Sequence, residues 1–187
     1  MRIIGGKFRG LKLADVGVGD VAAHLRPTSD RVREAIFTAM IVGKLGPDLD
    51  GAVILDLFAG TGALGLEALS RGAAHVTFVE NGDVARKILQ DNIKLTKSVT
   101  LTSLQRADAT DLKSNPGKPA DLIFLDPPYG QQLGARALTS ALKNSWINPD
   151  AHIVWEEATP QPPPVGFKLR DSRRYGETWV TILTVDT

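Results

Sequence analysis

Apolar and polar positions alternate in blocks from residue 52 onward, and these blocks predict strands and helices in turn. Continuous apolar runs predict buried strands at AVILDLF (52–58), HVTFVE (75–80), DLIFLD (121–126) and AHIVWE (151–156), with a weaker strand at TLTSLQRAD (100–108). Apolar residues at helical spacing predict helices at 63–72, 83–96 and 133–146. Strands that alternate with helices predict a Rossmann-like α/β fold, with a mostly parallel sheet covered on both faces.

The two ends of the chain follow other patterns. Residues 1–13 predict a short β-hairpin with GGK as its turn, and RPTSDRVREAIFTAM (26–40) predicts a helix that Ser29 or Asp30 caps. The apolar face of this helix comprises Val32, Ala35, Ile36, Ala39 and Met40. FKLRDSRRY (167–175) and TWVTILTV (178–185) have no helix between them and predict a closing hairpin with an antiparallel strand. We expect one domain over 1–187, with an extension at 1–45 and a catalytic core at 50–187.

Composition narrows the class of protein. The chain has 187 residues, 43% of them hydrophobic, which suits one domain with its own core. No apolar run approaches the roughly 20 residues of a membrane span, and the N-terminus lacks a signal-peptide pattern. Cysteine is absent and the three histidines are scattered, so no metal site is predicted. We expect a cytoplasmic monomer.

The formal net charge is only +1, but basic and acidic residues are distributed unevenly along the chain. Residues 1–33 contain seven Lys/Arg and three acids, whereas the remainder contains fifteen basic and eighteen acidic residues. A basic segment on a mildly acidic body suggests a polyanionic partner. The alternative is a solvated, charged terminus with no partner.

A glycine motif lies between the first strand and its helix. Gly60, Gly62 and Gly65 form G-x-G-x-x-G, and Glu80 ends the next strand, where an acid can bind ribose hydroxyls. The ligand is NAD(P) or S-adenosylmethionine, unless the segment is only a tight turn with a structural glutamate. Asp56, near the end of the first strand, suits a ligand with a cationic amino group better than a pyrophosphate.

A second acid, Asp108, ends the third strand at the same edge of the predicted sheet. Ligands of open α/β sheets lie at the carboxyl ends of the strands, so this carboxylate can accept a hydrogen bond from an adenine amino group. The alternative is that Asp108 caps the loop that follows it.

The segment Asp126-Pro127-Pro128-Tyr129 follows the fourth strand at that edge. Proline fixes its own backbone and forces its predecessor to be extended, so the segment is stiff. The Asp126 carboxylate and the Pro127 carbonyl can hold both N–H groups of an exocyclic amine, and the carboxylate stabilises the positive charge that develops on nitrogen. Tyr129 offers a face for stacking a flipped or single-stranded base. Alone, the segment would equally suit a Pro-Pro turn.

Taken together, DLFAGTG, Glu80, Asp108 and DPPY resemble the class I S-adenosylmethionine-dependent amino-methyltransferases. The flanking segments RIIGGKFRGLKL, LRPTSDRVREAIF and DLFAGTGALGLEALSRGA resemble the bacterial RsmD family, which methylates N2 of the guanine at position 966 of 16S rRNA. The resemblance extends from residue 2 to RYGETWVTIL, which is nearly the whole chain.

The resemblance implies a seven-stranded methyltransferase sheet whose last strand is antiparallel. It implies S-adenosylmethionine as cofactor, bound by Asp56, Phe58, Ala59, Gly60, Thr61, Gly62, Glu80, Asn81, Asp108 and Ala109. It also implies that Asp126, Pro127, Pro128 and Tyr129 hold the guanine amine. The expected partner is 16S rRNA within a small-subunit particle, with phosphates contacted by Lys7, Arg9, Arg26, Arg31 and Arg33.

Three other functions remain open from the residues themselves. The D-P-P-Y tetrad is shared with methyltransferases that act on DNA adenine or protein glutamine. A non-catalytic RNA-binding protein could use the cofactor for structure, and an NAD-dependent oxidoreductase would share the glycine motif. Cofactor binding and a methyl-transfer assay distinguish these alternatives.

Overall fold

The computed structural model describes residues 1–15 and 29–186. Its centre is a seven-stranded sheet with the strand order β3-β2-β1-β4-β5-β7-β6. The strands are β1 (Val53–Leu57), β2 (His75–Val79), β3 (Thr102–Gln105), β4 (Ala120–Leu125), β5 (Ile147–Glu157), β6 (Phe167–Tyr175) and β7 (Thr178–Val185). The helices are α1 (Asp30–Ile41), α2 (Ala63–Ser70), α3 (Asp83–Leu95) and α4 (Leu133–Lys143).

Strands β1 to β5 pair in parallel, whereas β7 runs antiparallel to both of its neighbours, β5 and β6. The predicted α/β sheet with a closing hairpin is therefore confirmed. The carboxyl ends of the five parallel strands lie at one edge of the sheet, where ligands of such folds bind.

Two apolar layers cover the sheet because side chains alternate between its faces along each strand. Ile54, Phe124 and Val154 point to the face that α1, α2 and α3 cover. Ile123 and Trp155, each one residue away from a member of the first set, point to the face that α4 covers. This alternation also decides the face to which each polar residue at the strand ends points.

The N-terminal arm, residues 1–13, folds back on itself with antiparallel ends. Its ends meet at one bridge, Arg2 with Lys12, and a 3₁₀ turn spans Gly6–Phe8. The predicted hairpin is thus present as paired ends and not as a regular ladder. The physical reason is that the N–H groups of Ile4 and Gly5 donate to the carboxylate of Glu67 on α2, at 2.7 and 2.8 Å.

Helix α1 begins as its sequence predicts, since the Ser29 hydroxyl accepts a hydrogen bond from the N–H of Val32. Phe37 packs against Phe124 of β4, with 5.7 Å between ring centroids, and joins the helix to the centre of the sheet. Among the residues that the structure describes, no helix combines the length and the apolar composition needed to cross a membrane.

Candidate active site

A tight turn connects β1 to α2 at the carboxyl edge of the sheet. Phe58, Gly60 and Gly62 all adopt positive φ there, at 58°, 55° and 79°. Glycine adopts this conformation without strain, and at Gly62 a side chain would also collide with Leu89 of α3. The turn brings backbone close to the space above the sheet, as a nucleotide-like ligand requires.

Glu80 holds this turn in place. Its side chain is buried, and one carboxylate oxygen accepts a hydrogen bond from the N–H of Gly60 at 2.8 Å. The other oxygen accepts from the N–H of Gly82 at 2.7 Å. Each carboxylate oxygen has two lone pairs, so these structural bonds leave capacity for ribose hydroxyls.

Asp56 lies beneath the same turn and is also buried. Its carboxylate accepts a hydrogen bond from the N–H of Gly65, in the first turn of α2, at 3.0 Å. Burial raises the pKa of Asp56 well above its ordinary value, and the negative charges of Asp126 and Glu80 raise it further, against the opposing effect of the Gly65 bond. The carboxylates at the bottom of the site therefore favour a positively charged ligand.

The hydrogen bonds of the glycine turn distinguish between the two candidate ligands, NAD(P) and S-adenosylmethionine. Dinucleotide folds use the N–H groups of the glycine turn and of the helix start to bind a pyrophosphate. Here the N–H groups of Gly60 and Gly65 already donate to protein carboxylates. Asp56, Glu80 and Asp126 would in addition repel a pyrophosphate, so the residues present fit a cationic ligand.

The other candidate cofactor residues lie around this turn. Thr61 is buried, and its carbonyl accepts a hydrogen bond from the Asn92 amide at 3.0 Å. Asp108 is exposed, and one of its oxygens accepts from both the N–H and the hydroxyl of Thr110, as a loop cap would. The remaining candidates comprise two buried alanines, Ala59 and Ala109, and the exposed Asn81.

The segment Asp126–Tyr129 leaves β4 beside this turn. Pro127 is buried, whereas Asp126 and Tyr129 are half-buried. The Tyr129 hydroxyl lies 3.4 Å from the Thr178 hydroxyl, and the N–H of Gly130 donates to the Glu157 carboxylate at 3.1 Å. The segment is therefore fixed from β5 and from β7, in addition to its own prolines.

Glu157 was not among the residues predicted from the sequence. It ends β5 and holds the D-P-P-Y segment through Gly130, and it also accepts a bond from the N–H of Ala158. The available signal was the acidic pair of WEE (155–157), since carboxylates at the carboxyl end of a parallel strand lie at the ligand edge.

The Tyr129 side chain keeps its hydroxyl proton at physiological pH and is uncharged. Burial raises its pKa to about 12, the Thr178 hydrogen bond opposes this shift, and the charges of Asp126, Glu156 and Glu157 add to it. Tyr129 is consequently suited to stacking and hydrogen bonding, and not to accepting a proton.

A cleft of about 470 Å³ opens beside Tyr129. This volume is within the roughly 300–1,000 Å³ range of small-ligand pockets. One wall is α1, and the other is the turn between β6 and β7. The cleft is lined by Ser29, Arg31, Val32, Ala35, Tyr129, Glu156 and residues 174–178.

The residues predicted to contact phosphates differ in their solvent exposure. Lys7, Arg9 and Arg31 are exposed, and Arg31 also lines the cleft. The prediction that Arg33 contacts phosphates is wrong. Its side chain is fully buried and pairs with Asp30 at 2.7 Å, so it supports α1 and does not face a polyanion. Arg26 lies outside the described residues, as does most of the loop 14–25.

Comparison with known proteins shows the family to which the chain belongs. The family model described as "Conserved hypothetical protein 95" matches residues 1–184. The chain is 35% identical over 165 residues to a Haemophilus influenzae protein named ribosomal RNA small subunit methyltransferase D, covering 87% of this chain and 81% of that protein. The Escherichia coli K12 protein of the same name is 38% identical over 156 residues, covering 83% and 74%.

A solved structure superposes on this chain over its full length. The yhhF protein of Escherichia coli, described as a presumed methyltransferase, superposes with a TM-score of 0.81 at 32% identity, covering 100% of this chain and 98% of that one. The class I methyltransferase fold predicted from the sequence is thereby confirmed.

Proposed function

The chain belongs to the RsmD family, and from that membership we propose that it methylates the N2 amine of a guanine, at position 966, in 16S rRNA. The methyl donor is S-adenosylmethionine. The observation that carries the proposal is the D-P-P-Y segment, which is held rigidly between a site for a cationic ligand and an open cleft. Relatives named as methyltransferases of small-subunit ribosomal RNA support the choice of substrate.

S-adenosylmethionine fits the carboxylate-rich base of the site because it carries an ammonium and a sulfonium and has no phosphate. When bound, it supplies an electrophilic methyl group. We assign Asp56 and the Gly60–Gly62 turn to its amino-acid part, Glu80 to its ribose and Asp108 to its adenine. Phe58, Ala59, Thr61, Asn81 and Ala109 complete this candidate set.

The Asp126 carboxylate and the Pro127 carbonyl accept hydrogen bonds from the two N–H groups of the guanine amine. The nitrogen lone pair, which is delocalised into the ring in free guanine, is thereby directed away from both acceptors. As positive charge develops on nitrogen, the nearby carboxylate stabilises it. One proton then leaves to Asp126 or to solvent, and positioning supplies most of the rate.

Tyr129 stacks on the guanine ring, an interaction worth about 1–3 kcal/mol per base. The base must leave its helix to reach this segment, so the target lies in a single strand or is flipped out. Lys7, Arg9 and Arg31 contact phosphates and orient the RNA without reading its sequence. We propose a cytoplasmic monomer that acts on a small-subunit particle.

The test measures transfer of labelled methyl from S-adenosylmethionine to three acceptors in parallel. These are small-subunit particles that lack the modification, naked 16S rRNA and DNA, and the modified nucleoside is identified after digestion. The expected product is N2-methylguanosine in rRNA. Label in N6-methyladenine, in protein glutamine or in none of the acceptors would overturn the proposed substrate.

Two controls separate binding from chemistry. Asp126→Ala should abolish transfer while S-adenosylmethionine affinity by calorimetry stays within about twofold, because Asp126 acts on the acceptor amine. Titration with NAD should show no binding, since Gly60 and Gly65 donate internally. Tight binding of NAD would favour the oxidoreductase alternative.

A further inference from the structure

Glu156 lies beside the candidate site but has no role in the reaction proposed above. It is the penultimate residue of β5, it is buried, and it lines the cleft beside Tyr129. A buried carboxylate needs hydrogen-bond donors, and at a ligand cleft a ligand can supply donors in addition to those of the protein. Carboxylates accept hydrogen bonds from N–H groups, and a guanine has two kinds of N–H on the edge that pairs with cytosine.

The strand register brings Glu156 next to Asp126. Leu125 of β4 pairs with Trp155 of β5 in parallel, and Asp126 and Glu156 are the residues that follow them. Neighbouring strands are about 4.8 Å apart, so the two backbones lie side by side. Residues at matching positions of parallel strands point to the same face, so the two side chains point together.

The face they share is the one that α1 covers. Phe124 and Val154, two residues earlier on each strand, belong to the core layer beneath α1. Glu156 also pairs across the sheet with Val180 of β7, which belongs to the same layer. Glu157 points to the opposite face and there holds Gly130. The two glutamates therefore have different surroundings and different tasks.

The pKa of Tyr129 agrees with this placement, because the charges of Asp126 and Glu156 both contribute to raising it. The stacking ring is thus within electrostatic reach of both carboxylates. A base that stacks on Tyr129 in this cleft can turn its edge toward the pair, and Arg31 and Arg174, which are exposed and line the cleft, can contact its phosphates.

We infer that Glu156 recognises the target base by accepting a hydrogen bond from the N1–H of guanine, while Asp126 and Pro127 hold the N2 amine. This assignment rests on the proposed function and makes that site specific for guanine. A carboxylate has about four lone-pair sites, so contacts of Glu156 within the protein do not exhaust its capacity. Adenine has an acceptor at N1 and would face the carboxylate with a lone pair.

The test uses 2-aminopurine at the target position, because this base keeps the reactive 2-amine but has no hydrogen on N1. Synthetic RNA carrying guanine or 2-aminopurine is ligated into 16S rRNA and assembled into particles. Wild-type protein should prefer guanine by at least about 100-fold in kcat/KM, since a buried acceptor is left facing a lone pair. In Glu156→Gln the amide can donate to N1 of 2-aminopurine, so the preference should fall by about tenfold or more.

Two matched variants show whether the effect is specific to Glu156. Glu157→Gln and Asp126→Asn should slow transfer to both bases by the same factor, because neither contacts N1. Circular dichroism and S-adenosylmethionine titration establish that each variant is folded. If Glu156→Gln does not fold, Glu156→Ala takes its place: it removes the buried acceptor that faces N1, so the preference should fall in that variant as well.

The outcomes separate the two proposals. A wild-type preference near one, or a preference that Glu156→Gln leaves unchanged, overturns the role of Glu156 while guanine methylation stands. If wild-type protein transfers no methyl to any RNA that carries guanine, the proposed function fails and this assignment fails with it.

Discussion

Gly60 donates its N–H to the carboxylate of Glu80 across 2.8 Å, and this bond joins the turn after β1 to the end of β2. The acid that the sequence suggests as a ribose ligand is therefore also the support of the glycine turn. A change at Glu80 should act on cofactor affinity in two ways, by removing a ligand and by loosening the turn.

Replacing Glu80 with Ala should reduce S-adenosylmethionine affinity by at least about tenfold and lower the free energy of unfolding by about 1–3 kcal/mol, the cost of unpaired buried N–H groups. Calorimetry and urea denaturation measure the two effects. Asp83→Ala is the matched control, because Asp83 is a nearby acid with an exposed side chain. Equal effects of the two substitutions would contradict the role of Glu80.

Replacing Asp56 with Asn should stabilise the protein without cofactor and weaken cofactor binding. A carboxyl group whose pKa is raised by folding binds its proton more tightly in the folded state, so it costs stability as pH rises above the ordinary aspartate pKa of about 4. Asn keeps an acceptor for Gly65 and removes the charge. We expect a gain on the order of 1–3 kcal/mol at neutral pH.

The measurement for Asp56 is urea denaturation at several pH values between about 4 and 8. The wild-type curve should lose stability with rising pH relative to Asp56→Asn, and the two should converge at the acid end. Asp91→Asn, at an exposed acid on α3, should follow the wild type throughout. Parallel curves for Asp56→Asn and wild type would refute the prediction.

Arg31 and Arg33 should behave oppositely although they are two residues apart on α1. Arg33→Met removes a buried guanidinium that bonds to Asp30 and to the Arg2 carbonyl, and it should cost about 2–3 kcal/mol of unfolding free energy. Arg31→Gln, at an exposed position, should change stability by less than about 0.5 kcal/mol.

For RNA affinity we expect the opposite ranking of these two arginines, with the larger effect at Arg31. Arg31→Gln should weaken binding to 16S rRNA and reduce the slope of log affinity against log salt by roughly 0.7, as one lost phosphate contact would. Arg33→Met should leave that slope unchanged at a temperature where it is folded. A salt slope altered by Arg33 and not by Arg31 would show that the assignment is inverted.

Glu67→Ala should release the N-terminal arm from α2. Glu67 is fully buried, and it accepts from Ile4 and Gly5 and pairs with Arg71 at 2.8 Å. We expect a loss of about 2–4 kcal/mol and faster trypsin cleavage after Lys7 and Arg9. Glu34→Ala, an exposed acid on α1, should change neither. An unchanged cleavage rate in Glu67→Ala would mean that other contacts hold the arm.

The core strands and helices were predictable because burial on both faces gives long apolar runs that no loop would carry. β1, α2 and β4 lie within one or two residues of the predicted bounds. The N-terminal hairpin was predictable only in outline, since its N–H groups bond to Glu67, a partner more than sixty residues away. Local patterns do not reveal such a partner.

The motifs that mark the candidate site are visible in the sequence, whereas the residues that support these motifs in the structure are not. Helical spacing places Arg33 with Ile36, Phe37 and Met40, and the charge of the arginine hid this alignment. The acidic pair of WEE marks Glu156 and Glu157 as residues at a strand end, but only the register between β4 and β5 shows that this end lies beside D-P-P-Y. A single sequence contains the strands but not their alignment.

The position of β7 has a consequence for the order of assembly during synthesis. β7 follows β6 along the chain but lies between β5 and β6 in the sheet. A growing chain can complete the cofactor half of the sheet while β5 still has an open edge. Glu156 pairs with Val180 of β7, so the surroundings of Glu156 are completed later than those of the glycine turn. On the assignments proposed above, a nascent chain would thus acquire the capacity to bind its methyl donor before it can select an acceptor.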